Sequence, residues 1–112
     1  MHGRLGVLIA LDEISGMLAV DGQTPRIVSY HSEQEALDQF GDFVGAGPPF
    51  SSLEIGVLNR RSAENEFLSV LLDIGFSVTV LNPRAVEQFS HSRGGQMITA
   101  GLLVDLMREN GL

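Results

Sequence analysis

The sequence predicts an α/β fold: a mixed five-stranded sheet in which three antiparallel strands are followed by α-β-α-β-α, with helices on the faces of the sheet. Residues 4–31 hold three short apolar runs separated only by turn residues, and spacings this short are typical of hairpins. From Ser32 onward, segments with helical periodicity alternate with apolar runs, which is typical of a sheet covered by helices. The phrase V-L-N occurs at 57–59 and again at 80–82, and each copy ends an apolar run.

The antiparallel part of the sheet is predicted from the first three apolar runs. Residues 4–11 form a continuous apolar run with a β-branched pair, as expected for a buried strand. We predict a turn at 12–16, a second strand at 17–20, and a second turn at 21–25. Residues 26–31 form the third strand, which completes a meander.

Four helices are predicted from capping residues and periodicity. Ser32 and Glu35 form a capping box, and Gly45 ends the helix that follows. A second helix is predicted between a cap at Ser62 and a stop at Gly75. A third begins at the N-cap Asn82, with Pro83 in its first turn, and ends near Ser90. The last is an amphipathic segment over 96–110.

The repeated V-L-N phrase is explained by a β-α-β unit. Strand four is predicted over 53–58 and strand five over 76–81, with the second helix between them. Parallel strands end at the same edge of a sheet, so both V-L-N phrases are expected there. Sites in open α/β sheets collect at the carboxyl ends of strands, so this edge is where we expect a site.

Composition limits the function classes. A chain of 112 residues is predicted to form a single domain over 1–112. The absence of cysteine excludes a disulfide scaffold, a thiolate metal site and a cysteine nucleophile. The net charge of -7 disfavours an unaided nucleic-acid binder, because phosphate contacts need clustered Lys and Arg. Asp12 and Glu13 interrupt the first apolar run too early for a signal peptide, and no stretch approaches a membrane span. We therefore predict a cytoplasmic protein without membrane contact.

Three carboxylates are candidate catalytic residues. Asp12 follows strand one, and Asp105 and Glu109 share a face of the last helix at i, i+4 spacing. Several carboxylates gathered at strand ends can hold the paired Mg²⁺ ions of phosphodiester chemistry. The alternative is structural: Asp12 begins a turn, and the helical pair forms a solvated flank.

Four other residues are candidate anion ligands. Asn59 and Arg61 follow strand four, and Asn82 and Arg84 follow strand five at matched positions. Guanidinium groups beside helix N-termini bind phosphate well. Ordinary surface charge on an acidic protein is the alternative.

The stretch from Gly75 to Ser90, G-F-S-V-T-V-L-N-P-R-A-V-E-Q-F-S, resembles the N-terminal domain of DEDD-type insertion-sequence transposases, the group that includes the Piv-like DNA invertases. That resemblance implies a RuvC-like, RNase H-like fold and a catalytic Asp that closes strand one, which Asp12 matches. The family's Glu at the end of strand four would correspond to Leu58 or Asn59. Its last two Asp would correspond to Ala100 and Leu103.

Because three of the four family carboxylates are replaced, the sequence predicts a non-catalytic RNase H-like domain. We expect it to act as a binding, regulatory or assembly module, or as a remnant linked to DNA transposition or recombination, without a cofactor. A protein partner or a second copy, as in a homodimer, is the expected partner. One alternative is a Mg²⁺-dependent nuclease or recombinase using Asp12, Asp105 and Glu109. The other is a small-anion or nucleotide-binding module using the four residues named above.

Overall fold

The structure is a computed structural model that describes residues 2–45, 52–60, 66–73 and 77–111. The strands are, in chain order, β1 (His2–Ile9), β2 (Ile14–Val20), β3 (Arg26–Tyr30), β4 (Ser52–Asn59) and β5 (Ser77–Val80). The helices are α1 (Glu33–Gly45), α2 (Glu66–Asp73), α3 (Pro83–Ser92) and α4 (Ala100–Glu109). Within the described residues, no helix has the length and apolar character needed to cross a membrane.

The five strands form one sheet in the order β3-β2-β1-β4-β5. β2 is antiparallel to both β1 and β3, whereas β4 is parallel to both β1 and β5. The predicted α/β fold with a mixed sheet is therefore confirmed, and the strand order is compatible with an RNase H-like arrangement. After α1 the chain re-enters the sheet beside β1, so β1 becomes the central strand.

The first hairpin is tighter than predicted. β2 begins at Ile14 rather than at residue 17, so the predicted turn at 12–16 was too long. Ile14 pairs with both Ile9 and Tyr30, and its side chain is buried, so packing extends the ladder into residues with turn propensity. The Ala10 N–H donates to the Glu13 carbonyl at 2.9 Å, which closes the shorter turn.

The last helix is shorter than the predicted span of 96–110. α4 begins at Ala100, and the Thr99 hydroxyl caps it by accepting from the Leu102 N–H at 3.2 Å. The preceding segment is held away from helical geometry because the Ser90 hydroxyl donates to the carbonyl of Gln96. Capping by Thr99 thus sets the start of α4, although residues 96–98 continue its amphipathic pattern.

The two faces of the sheet bury different sets of side chains. One face packs against α1 and α2, where the rings of Phe40 and Phe67 meet edge to face with centroids 5.2 Å apart. That core contains, from the strands, Leu5, Val7, Ile9, Ile14, Leu18, Val20, Tyr30, Leu53, Ile55 and Val57. The opposite face is covered mainly by α4. Each strand therefore contributes alternate residues to two separate cores.

Close approach of α4 to the sheet depends on two paired glycines. Gly6 of β1 lies opposite Gly56 of β4 in the parallel ladder. A Cβ on Gly6 would lie 2.5 Å from the Ala100 carbonyl oxygen, and one on Gly56 would lie 2.6 Å from the Met107 sulfur. A side chain on Gly6 would push the backbone of α4 outward, and one on Gly56 would displace the buried Met107 side chain. The glycine pair therefore allows the close approach of α4 to the central strands.

The predicted capping residues are confirmed where the structure describes them. The Ser32 hydroxyl accepts from the Glu35 N–H at 3.1 Å, and the Glu35 carboxylate reaches back to the N–H of His31 rather than to that of Ser32. Asn82 caps α3 by accepting from the Arg84 N–H at 2.9 Å, with Pro83 in the first turn. The cap predicted at Ser62 and the stop predicted at Gly75 lie outside the described residues.

Candidate functional site

The predicted site edge lies at the carboxyl ends of β1, β4 and β5. Val57 pairs with Val80, and the Leu81 N–H donates to the Val57 carbonyl at 2.7 Å, so the two V-L-N phrases lie side by side in register. On the other side of β4, the Arg60 N–H donates to the Ile9 carbonyl at 2.8 Å. The prediction that both phrases end at one edge is confirmed.

Beneath this edge, where the strand ends meet α3 and α4, the structure places an aliphatic cluster, here called the leucine corner. Each of its members is at most 9% exposed. They are Leu8, Leu58, Leu81, Val86, Leu102, Leu103 and Leu106. None of these side chains offers an oxygen or nitrogen ligand, and their close packing excludes water.

The resemblance to transposase domains assigns carboxylates to positions that lie in this packed region. Leu58 and Leu103 belong to the leucine corner and are 2% and 0% exposed. Ala100 is buried, and its carbonyl faces the backbone of Gly6. Asn59, the other position matched to the family's Glu, is half-buried at the end of β4. These three buried positions serve packing in this chain, so the residues present do not fit the divalent metal that the resemblance implies.

Asp12 lies at the edge but apart from the other candidate carboxylates. It is exposed in the loop between β1 and β2, beside a depression of about 420 Å³. Among the described residues, Ala10, Leu11 and Arg60 also line this depression. A guanidinium thus shares the depression with Asp12, and a cation there opposes binding of a metal ion.

Asp105 and Glu109 share the exposed flank of α4, as their spacing predicts. The two guanidinium nitrogens of Arg93 lie 3.8 Å from an Asp105 oxygen and 3.7 Å from a Glu109 oxygen. Arg108 adds a contact of 3.8 Å to Asp105, and the Arg93 guanidinium lies over the Phe89 ring, 4.6 Å from its centroid. Both carboxylates are thus neutralised by arginines on the protein surface, where such pairs contribute about 0–1 kcal/mol each.

The structure does not bring Asp12 and Asp105 into one site. Asp105 lines a depression with Met17, Ala19 and Pro25, and no described residue lines both this depression and the one at Asp12. Within the described ranges, no three His, Asp or Glu side chains converge as a metal-binding group. The use of Asp12, Asp105 and Glu109 in catalysis stays a prediction, but their arrangement lacks the shared centre that two-metal chemistry needs.

The candidate anion ligands are placed unevenly. Asn59 and Asn82 end neighbouring strands, and Arg84 is exposed in the first turn of α3. The Asn82 side-chain oxygen accepts from the Arg84 N–H, which is one of the helix amides that an anion would otherwise bind. Arg61 lies outside the described residues. The basic side chain that the structure places beside the β1–β2 loop is Arg60.

Arg60 was not among the anion ligands predicted from the sequence, although the structure places it at this edge. The signal was present, because Arg60 is the first residue after V-L-N in strand four. What the sequence did not show is that β4 pairs with β1, which brings Arg60 against the β1–β2 loop.

No protein-family model matches this chain, and no curated protein matches it significantly.

Proposed function

We propose that this chain is a non-catalytic RNase H-like domain that acts as a binding or assembly module. The leucine corner carries the proposal, because it occupies the region where β1, β4 and the last helix would have to present carboxylates to a metal. Restoring a carboxylate at Leu58 or Leu103 would bury a charge among aliphatic side chains, which is strongly unfavourable without a cation beside it.

The resemblance of residues 75–90 to transposase domains supports a role linked to DNA transposition or recombination, carried out through protein contacts in the cytoplasm. The net charge of -7 favours a protein partner or a second copy over direct contact with phosphate groups. A domain whose metal ligands have been replaced by packed aliphatic side chains can still keep the surfaces that bind other proteins. Such a domain would contribute to a larger assembly by binding alone.

Metal titration tests the proposal. Mg²⁺ and Mn²⁺ are each added to the chain while thermal unfolding is followed, and nicking of branched and single-stranded DNA is assayed in the same buffers. A bound metal at a hundredfold excess over its Kd would add about 2.7 kcal/mol to the free energy of unfolding. We expect neither a shift in Tm nor any nicking.

Asp12→Asn provides the matched control, because Asp12 is exposed and the substitution removes one carboxylate without changing its size. The variant should show the same metal response as the wild-type chain. Metal-dependent nicking that Asp12→Asn abolishes would establish the nuclease alternative. DNA binding that persists at about 200 mM salt would also contradict the proposal, since nonspecific phosphate contacts weaken steeply with salt.

A further inference from the structure

No described strand pairs with the outer edge of β3. β3 is the terminal strand of the sheet, so alternate N–H and C=O groups along Arg26–Tyr30 point away from β2. Exposed edges are usually protected by proline, by charged side chains, inward-pointing ones included, or by a covering helix or loop. Proline is absent from β3, and its one charged side chain, that of Arg26, is bound to α1. Arg26 donates to the Phe43 carbonyl at 2.9 Å, and its guanidinium lies 5.0 Å from the centre of the Phe43 ring.

The face of β3 turned toward α4 carries an incompletely covered apolar side chain. Ile27 is 71% exposed, although it lies next to the half-buried Met17 in the ladder. A depression of about 380 Å³ separates this part of the sheet from the start of α4. Met17 and Ile27 line it beside polar residues, and the Ser29 hydroxyl donates to the Glu13 carboxylate at 3.1 Å. A strand added beside β3 would place an apolar side chain against Ile27.

The opposite face of the same edge is acidic. α1 packs beside β3 and carries Glu33, Glu35, Asp38 and Asp42 with no basic residue. The Glu35 carboxylate accepts the N–H of His31, the residue that follows β3. The pKa of Tyr30 is raised by burial and, in addition, by the negative charges of Glu35 and Asp42.

The helices on the other face are close to neutral. Arg84, Arg93 and Arg108 offset Glu87, Asp105 and Glu109 over the described lengths of α3, α4 and the turn between them. α1, which packs beside β3, is therefore strongly acidic, whereas α3 and α4 are not.

We propose that β3 accepts an extended segment of a partner protein as a sixth strand, and that this segment alternates basic with apolar side chains. Side chains of a strand point alternately to the two faces of the sheet, so the basic residues would meet the α1 carboxylates while the apolar ones cover Ile27. Such a segment would be the partner contact of the binding role proposed above, and the inference rests on that role.

A second copy of this chain fits the edge less well. Pairing of β3 with β3 of another copy would place two α1 helices on the same edge, each with four carboxylates and no base. Repulsion between the carboxylates of the two helices opposes association of two copies, whereas the same carboxylates attract a basic segment.

Peptide binding tests the inference with the full chain. The probe is a fluorescein-labelled peptide of about eight residues that alternates lysine with valine, and its control alternates glutamate with valine. Binding is followed by fluorescence anisotropy. The wild-type chain should bind the lysine peptide and not the glutamate peptide, and higher salt should weaken the complex.

Two matched variants separate edge pairing from general attraction to an acidic protein. Ile27→Lys and Val80→Lys each add one positive charge to an exposed apolar position, on opposite edge strands of the sheet. Ile27→Lys should weaken peptide binding by about tenfold or more, and Val80→Lys by less than about twofold. Far-ultraviolet circular dichroism and Tm should show that both variants are folded.

A double variant, Asp38→Asn with Asp42→Asn, tests the acidic half of the site and should weaken binding by about fivefold. Equal weakening by Ile27→Lys and Val80→Lys would overturn the inference, as would an absence of binding to the lysine peptide. A wild-type dimer that Ile27→Lys converts to monomer, with no peptide binding, would assign the edge to a second copy instead. Metal-dependent nicking would overturn the proposed function independently, whatever the peptide does.

Discussion

The phrase V-L-N occurs at the end of β4 and across the end of β5, and Val57 pairs with Val80, yet the two copies lie in different surroundings. Val57 in β4 is fully buried, whereas Val80, its partner in β5, is 56% exposed. Leu58 and Leu81 are both buried, because both contribute to the leucine corner. The difference between the copies is therefore confined to the face that carries the valines.

The position of each strand in the sheet explains this difference. β4 lies between β1 and β5, and α4 packs on one of its faces. On the other face, Val57 belongs to the core that contains Phe67 of α2. β5 is an edge strand of four residues. An identical phrase thus ends two strands alike, while the neighbouring elements determine how much each side chain contributes to stability.

The residue that precedes the phrase differs for the same reason. Gly56 precedes V-L-N in β4, and its partner Thr79 precedes the phrase in β5. Gly56 and Gly6 lie beneath α4, where a side chain has no room, whereas the half-buried Thr79 has a side chain of ordinary size. Central strands in this fold need small residues under the crossing helix, and the edge strand does not.

The largest effect is expected from Gly6→Ala in the central strand β1. The new methyl group would lie 2.5 Å from a backbone oxygen of α4, which cannot rotate away, so the helix must shift. Overpacking of this kind should lower the free energy of unfolding by about 3 kcal/mol. Urea denaturation with an unchanged m value measures the loss.

Gly16→Ala in β2 is the matched control. A Cβ at Gly16 would have its nearest neighbour at 3.4 Å, an ordinary contact with the Val28 side chain. Its free energy of unfolding should stay within about 1 kcal/mol of the wild-type value. Similar losses in both variants would show that α4 does not rest on the central strands as closely as the glycine pair indicates.

A smaller effect should separate the two valines. Val57→Ala removes two methyl groups from a fully buried site, and at about 0.8 kcal/mol each plus a cavity term it should cost about 2 kcal/mol. Val80→Ala should change stability by less than about 0.5 kcal/mol, because that side chain is largely in water. Equal costs in urea titrations would mean that β5 is covered by something in solution.

A loss smaller than that of Val57→Ala is expected at the end of the edge copy. Asn82→Ala removes the oxygen that accepts the Arg84 N–H at the start of α3, which should cost about 1 kcal/mol. Asn82→Asp keeps that acceptor and should retain the wild-type stability. If Asn82→Ala left thermal unfolding unchanged while Asn82→Asp destabilised the chain, a role other than capping would have to be assigned to Asn82.

The candidate site was predictable in its location but not in its content. Parallel pairing of the two V-L-N strands followed from the β-α-β spacing, so the common edge could be expected at Asn59 and Asn82. Whether Asp12 and Asp105 lie in one site could not be predicted, because this depends on which flank of α4 faces the strand ends. The leucine residues of α4 take that flank, and Asp105 is left on the surface with Arg93.

The sequence by itself determined the strands, the helices and most of the caps that the structure describes, because these depend on periodicity and on residues a few positions apart. It also determined the acidic charge that limits the partners. Only the tertiary structure decided that β1 lies between β2 and β4, that Gly6 and Gly56 meet α4, and that leucines fill the corner where metal ligands were in question. Those features arise from contacts between segments far apart in the chain, where burial and close packing outweigh local preference.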